Sequence, residues 1–319
     1  MAGNAHADEQ PMAFAAAEKR DHPVTAPRGH MDLKYLKKIM TAEELQELCQ
    51  GESCEAAKVS PISTHKTNYI SFDRALGDEI AQVKFQFSVK FPLFDPNSFT
   101  LYRSYFPVYL AYTQKSLWNV GPHAEPVIES DYNPELFLDY PVDTRIVGQL
   151  MLRNIVISPL EHESNGRSGS ILARSWNRQY LMLGFGLQSD ESLKVLKCFL
   201  QDKARLSLKV WHAYGYRSER HHLEAIGSKY GFLDYMGRGE VGLSVRNFLW
   251  GGRFRDHQLD VNMPILNDNI TKSFNIEFRQ QFPGTNFALY AQYWYGYGET
   301  LQQFDQFVRS GYAGVAFSH

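Results

Sequence analysis

The stretch Val83-Lys-Phe-Gln-Phe-Ser-Val-Lys-Phe-Pro-Leu93 alternates without a break. Val83, Phe85, Phe87, Val89, Phe91 and Leu93 fall on one parity, Lys84, Gln86, Ser88 and Lys90 on the other. Successive side chains of a β-strand point to opposite faces, so this is a strand with one apolar and one polar face. The period recurs. Phe274, Ile276 and Phe278 alternate with Asn275, Glu277 and Arg279, and Leu259, Val261, Met263 and Ile265 with Gln258, Asp260 and Asn262. Residues 67–72, 100–113, 135–141, 146–160, 174–185, 206–214, 231–245, 287–297 and 308–317 complete the series. The count comes to about twelve strands, an even number that suits a closed antiparallel barrel with both termini on one side.

Alternation does not say which face meets water. A soluble barrel buries the apolar face; a membrane barrel turns it outward to lipid. No run of eighteen apolar residues exists, which excludes a transmembrane helix, but barrel strands average out in any hydropathy window. An aromatic content of 14%, with 18 Tyr and 21 Phe, fits the girdles of a membrane barrel and fits a soluble sandwich too. The net charge of -2 offers no basic patch for nucleic acid.

Ahead of the barrel, residues 1–62 read as an extension and 63–319 as the barrel domain. Residues 1–30 are polar, carry Pro11, Pro23 and Pro27, and are expected to be disordered. Residues 32–50 read as a helix with Leu33, Leu36, Ile39 and Met40 on one stripe and a capping box at Thr41-Ala-Glu-Glu44. The stretch Met12-Ala-Phe-Ala-Ala-Ala17 is too short for a signal peptide, so export is inferred from the architecture, with Met1 opening a mature form. Cys49, Cys54 and Cys198 give no zinc spacing; Cys49 and Cys54 either close a small loop or stand as free thiols.

One stretch carries chemistry. His162-Glu-Ser-Asn-Gly-Arg167, followed by Ser175-Trp-Asn177, supplies a base, a nucleophile and an orienting amide within sixteen residues. On a strand His162 and Ser164 share a face, so a neutral imidazole can take the hydroxyl proton as Ser164 attacks a carbonyl. Asn177, on the returning strand, would fix the imidazole tautomer. On the strand of the motif the even positions Ile146, Leu150, Leu152, Val156, Leu160, His162 and Ser164 form the apolar face; Asn154 breaks the rule. Asn177 shares its parity with Leu181, Leu183 and Phe185, so the three residues are expected on the apolar face.

The run HESNGRSGSILARSWNRQY at residues 162–180 resembles the signature of the outer-membrane phospholipase A family, as do Tyr112-Thr-Gln-Lys115, Tyr132-Asn-Pro-Glu-Leu-Phe137 and Gly296-Tyr-Gly-Glu299. The joint presence of H-x-S-N-G-R and S-W-N is specific where a lone H-x-S is not. The resemblance implies a twelve-stranded transmembrane barrel in the bacterial outer membrane. It also implies a calcium-dependent hydrolase of phospholipid acyl esters, with phospholipase A1, A2 and lysophospholipase activity, switched on by homodimerisation. Counted from a periplasmic N-terminus, the fifth strand rises to His162, which puts Ser164 at the extracellular rim. The segment from Ser116 to Asp131 is read as a long connection on that side.

The resemblance also assigns supporting residues. Backbone N–H groups of Ser164 and Gly166 would meet the oxyanion. Calcium would be held by the carbonyl of Arg167, a Ser before the next Arg, and a carbonyl of the partner subunit that maps to Ala124. Here the chain departs: Ala173 stands before Arg174 and the loop is one residue longer, so Ser170 or the Ala173 carbonyl must serve. An acidic position used by the monomeric form falls near Glu219, and Gln114 maps to a polar residue at the dimer interface. A lumen-facing amide is the competing reading of Gln114. The competing reading of the whole is a non-enzymatic barrel, a porin or scaffold that keeps the motif. A soluble lipid-binding barrel fails on strand number and on the polar residues of its would-be interior.

Overall fold

The computed structural model describes residues 62–73, 81–94, 107–120, 127–169, 172–187, 204–248, 256–266 and 273–317. The expected N-terminal helix, Cys49, Cys54, Cys198, Ala124 and Ser170 lie outside them.

Twelve antiparallel strands close into a ring: β2 (Asn68–Asp73), β3 (Ala81–Pro92), β4 (Val108–Val120), β5 (Val127–Val147), β6 (Leu150–Ser164), β7 (Ser175–Leu187), β8 (Ala204–Tyr214), β9 (Gly239–Arg246), β10 (His257–Ile265), β11 (Phe274–Gln281), β12 (Phe287–Gly296) and β13 (Val308–Phe317). Each pairs with its neighbours in sequence, and β13 returns to β2 through Ala313↔Phe72 and Phe317↔Asn68. A two-residue strand, β1 (Ser63–Thr64), extends the ladder on β3 beyond β2. Each of the twelve strands of the ring has partners on both sides, the condition for crossing a membrane with strands.

The structure decides which face is which. On β3, Phe87 is 53% exposed while its neighbours Lys84 and Ser88 are buried at 1% and 0%. Ile70, Phe72, Leu110, Ile157, Leu160, Leu181, Leu206 and Leu289 likewise stand exposed on the outside. The inside carries charge: Arg178, Lys209, Glu161 and Glu163 meet in one network, Arg279 and Asp260 in another. An apolar exterior around a polar interior is the membrane arrangement, inverted relative to a soluble barrel. Among the described residues no helix is long and apolar enough to cross a membrane.

One end of the lumen is filled. Between β8 and β9 the chain forms two helices, α1 (Arg217–Ala225) and α2 (Phe232–Met236). Leu223, Phe232 and Tyr235 pack with Leu301 and Phe304 of the β12–β13 connection against Trp176 of β7. The expected strand at 231–245 therefore starts only at Gly239. Residues 231–236 turn helical because Asp234 accepts from Gly231 N at 2.6 Å while Phe232 and Tyr235 sink into the aromatic cluster.

Two further expectations are corrected. Residues 116–120 and 127–131 are strand, not connection, paired through Ser116↔Ser130 and Lys115↔Asp131. Ile146 belongs to β5; the turn to β6 lies at Gly148, whose φ of +55° suits the first central position of a two-residue hairpin turn.

The parity of β6 is also not constant. Its register with β7 slips by one residue between Leu152 and Asn154, and again between Ser158 and Glu161. Each slip is a β-bulge, where an extra residue lets the strand bend and re-aims the side chains after it. Val156 consequently faces inward, buried at 3% against Tyr109, Phe137 and Tyr180, whereas Ile157 faces out. Asn154 points into the lumen and donates to Asp139 at 2.9 Å. The second bulge restores the even positions to the outside by His162.

Candidate active site

His162 and Asn177 are direct cross-strand partners near the end of the β6–β7 pair. His162 Nδ1 lies 2.8 Å from Asn177 Oδ1. An amide oxygen can only accept, so this contact puts the ring proton on Nδ1 and leaves Nε2 as the basic nitrogen. Ser164 ends β6 two residues on, along the same outward face, opposite Ser175 on β7 and Tyr132 on β5. Strand alternation places His162, Ser164 and Asn177 on the outer face that also carries the exposed Leu160 and Leu181.

The inner face of the same two strands holds them in register. Arg178 reaches Glu161 at 2.6 Å and Glu163 at 3.1 Å, and its guanidinium lies 4.0 Å from the centre of the Trp176 ring. Trp176 Nε1 donates to Glu163 at 2.9 Å, and Lys209 pairs with Glu161 at 3.1 Å. Residues 161, 163, 176 and 178 thus interlock on the inside while 162, 164 and 177 are presented outside. Alternation in the motif carries the signal for this inner lock, since each site residue is flanked by a charged or aromatic one.

Beyond Ser164 the chain leaves the sheet. Gly166 takes a φ of +63°, and a Cβ there would come within 2.9 Å of the Tyr132 ring, so turn and close approach both require glycine. Asn165 pins the loop. Its Oδ1 accepts from Arg174 N at 3.0 Å and Arg167 N at 3.3 Å, and its Nδ2 donates to Leu172 O at 2.9 Å. The sequence marks Asn165 only as a turn residue, and nothing in its neighbours signals the pinning role.

Of the residues assigned to calcium, Arg167 sits in this loop with its side chain drawn aside to Ile128 O at 2.7 Å. The carbonyl of Ala173 is already engaged by the guanidinium of Arg174 at 2.9 Å. Glu219, fully buried on the first turn of α1, accepts from Ser175 N and so braces the start of β7 from inside. Among the described residues no cluster of three or more His, Cys, Asp or Glu could hold a metal. Calcium takes carbonyl and hydroxyl oxygens, and the sequence of this loop contains both kinds of donor. Gln114 faces outward opposite Phe87, not into the lumen. It accepts from Tyr112 Oη at 3.2 Å and donates to Ser116 Oγ at 3.4 Å, and Ser116 contacts Ser130, a polar strip on an apolar wall.

The chain is similar to the phospholipase A1 of Escherichia coli (strain K12), 38% identical over 125 residues, 37% of this chain and 39% of that protein. It thus spans about two-fifths of the length of that relative. Against the phospholipase A1 of Klebsiella pneumoniae it is 29% identical over 238 residues, 72% of this chain and 68% of that one. Its fold matches the outer membrane phospholipase A from Escherichia coli with a TM-score of 0.62 at 21% identity, covering 83% of this chain and 95% of that chain. The outer membrane phospholipase of Salmonella typhi, solved as a dimer with bound calcium, matches with a TM-score of 0.61 at 21% identity, covering 82% and 93%. The phospholipase A1 family model matches residues 53–318, and the chain belongs to that family.

Proposed function

We propose that residues 63–319 form a serine hydrolase of the outer membrane that cleaves acyl esters of phospholipids, as phospholipase A1, phospholipase A2 and lysophospholipase. The observation that carries this reading is the 2.8 Å contact between His162 Nδ1 and Asn177 Oδ1 on the lipid-facing wall, with Ser164 beside it on the same face. A base exposed there meets acyl chains and head groups laterally, whereas a lumen site would meet water.

His162 Nε2 takes the proton of Ser164 as Oγ bonds to the ester carbonyl carbon. Asn177 holds the ring and its tautomer while the imidazolium lasts. Backbone N–H groups of Ser164 and Gly166 receive the oxyanion. As the tetrahedral adduct collapses, the bond to the lysophospholipid oxygen breaks and His162 returns its proton to that oxygen. Water, deprotonated by His162, then releases the fatty acid from Ser164.

Calcium, when bound, adds positive charge and held water at the oxyanion; the Arg167 carbonyl, the Ser170 hydroxyl and Ala124 of the partner subunit would hold it. Ser170 is favoured over Ala173 because the Ala173 carbonyl is already bonded to Arg174. Glu219 serves the monomeric form. Homodimerisation through the Gln114 strip completes the site, because polar groups facing hydrocarbon are stabilised when another barrel covers them. The active site faces the cell exterior at the outer leaflet.

The test is phospholipid hydrolysis in mixed micelles, with calcium or with chelator, by wild type and Ser164→Ala. Calcium-dependent release of fatty acid by the wild type alone supports the reading. A wild type inactive in both conditions leaves the scaffold reading, and activity indifferent to chelator discards the metal.

A further inference from the structure

The ladder between β5 and β6 lapses at one place beside the site. Tyr132 pairs with Ser164 and Glu135 with Glu161 in one register, yet Asn133 and Pro134 between them pair with nothing across. In that register Pro134 stands opposite His162. Asn165 N donates to Arg174 O at the end of β6, so odd positions there turn their backbone groups toward β7. In an antiparallel strand the alternate residues turn theirs the other way. His162 therefore presents its carbonyl to β5, where the nitrogen of Pro134 has no hydrogen to give.

The missing donor comes from the next side chain. Asn133 Nδ2 lies 2.8 Å from His162 O, and it also reaches Glu161 Oε1 at 3.4 Å. The amide is fixed in turn, since Asn133 is buried and its Oδ1 accepts from Lys66 Nζ at 2.8 Å. We propose that Asn133 is a positioning residue for the base: its side-chain amide replaces the backbone hydrogen bond that Pro134 withholds and sets where the His162 backbone sits on the wall. Asn177 orients the ring from β7, and Asn133 places the main chain that carries the ring from β5. The inference rests on the reading of His162 as the base, and it predicts a relation between two neighbouring residues that the reading itself does not.

The experiment compares Asn133→Ala, Pro134→Ala and the double variant. Folded barrel is scored by heat-dependent electrophoretic mobility, alongside hydrolysis in mixed micelles with calcium and the urea midpoint of unfolding. Displacing a reacting group by a fraction of an ångström to an ångström costs up to about a hundredfold, so Asn133→Ala should lower kcat about ten- to a hundredfold. KM should stay within about twofold, because no contact with bound substrate is removed. Pro134→Ala alone should stay near wild type. In the double variant the nitrogen at position 134 regains its hydrogen, so most of the lost kcat and the lowered unfolding midpoint should return.

If Asn133→Ala does not fold, recovery of folded barrel in the double variant supports the same relation, and a double variant that also fails overturns it. A wild-type kcat in Asn133→Ala, or a double variant no better than the single in rate and midpoint, also overturns it. Undiminished hydrolysis by Ser164→Ala would instead strike the triad, and the unfolding midpoints would still decide whether Asn133 substitutes for the withheld bond.

Discussion

The barrel has two kinds of wall. From β8 round through β13 and β2 to β3, strands pair residue for residue, with no slip in any register. From β4 to β7 the register shifts once between β4 and β5, three times between β5 and β6, and twice between β6 and β7. The candidate site lies in the irregular wall. Regular pairing maximises ladder hydrogen bonds, whereas bulges re-aim side chains at the expense of the ladder. The difference teaches that this sheet departs from regularity where it must present particular side chains outward, and that inner-face ion pairs hold the departure in place.

The largest effect should come from the irregular wall and leave stability alone. Ser164→Ala and His162→Ala should each abolish nearly all hydrolysis, because either removes the covalent route, while heat-dependent mobility stays that of a folded barrel. Wild-type turnover in Ser164→Ala would erase the functional side of the comparison.

Asn177→Ala should cost on the order of ten- to a thousandfold in turnover, less than the ~10⁴ recorded for a triad whose Asp became Asn. A neutral amide orients His162 without compensating its charge. A loss equal to that of Ser164→Ala would show that Asn177 does more than orient.

The regular wall should answer in stability. Glu299, in the β12–β13 connection, pairs with Lys84 of β3 at 2.8 Å and accepts from Ser310 of β13 at 3.0 Å. Glu299→Gln leaves a buried ammonium uncompensated, a change of about 3–5 kcal/mol, read as a lower urea midpoint with normal turnover of the folded fraction. Burial alone would raise the Glu299 carboxyl, but Lys84 and the hydrogen bonds from Lys84 and Ser310 hold it below its ordinary value of 4.5. A carboxyl lowered on folding adds stability that is complete above its unfolded range and is lost as pH falls through the lowered value. The wild-type midpoint should therefore fall with acidification below about pH 4.5, and the Glu299→Gln midpoint should fall less.

The smallest effect concerns the loop. Ser170→Ala should raise the calcium needed for half-maximal activity roughly tenfold, about 1.4 kcal/mol, with little change at saturating calcium. A silent substitution would return the ligand to the Ala173 carbonyl, and shortening the loop by one residue would then be harmful.

The same division governs what the sequence makes legible. Val83 to Leu93 can be read from the period alone, because β3 keeps one parity from end to end. Val156 cannot. Its apolar side chain belongs equally to a lipid face or to the Tyr109–Phe137–Tyr180 cluster, and only the bulge before it decides. His162, Ser164 and Asn177 are legible as a pattern of residue types. Asn133 is not, because its use depends on the absent hydrogen of Pro134 facing the carbonyl of His162, 29 residues from Asn133 itself. The helices after β8 escape the sequence for a related reason. Among the described residues of α1 Leu223 alone joins the hydrophobic cluster, and α2 is one turn held by tertiary packing, too short for any periodic signal.

The second bulge of β6 makes the strand longer there than its height on the wall requires. At Pro159 and Leu160 both partner strands advance by one residue fewer, whereas at Arg153 β7 advances by one fewer and β5 by one more. Deleting Pro159 or Leu160 would merge that bulge into ordinary ladder with both neighbours and leave His162 and Ser164 facing out, whereas deleting Arg153 would repair the ladder to β7 and widen the mismatch with β5. A deletion between the bulges, at Val156 or Ile157, would drive the intervening side chains through the wall, apolar groups into the lumen and polar ones toward lipid. The strand therefore tolerates a shortening at one point and resists it elsewhere, so the spacing that matters is counted in partners across the sheet, not in residues along the chain.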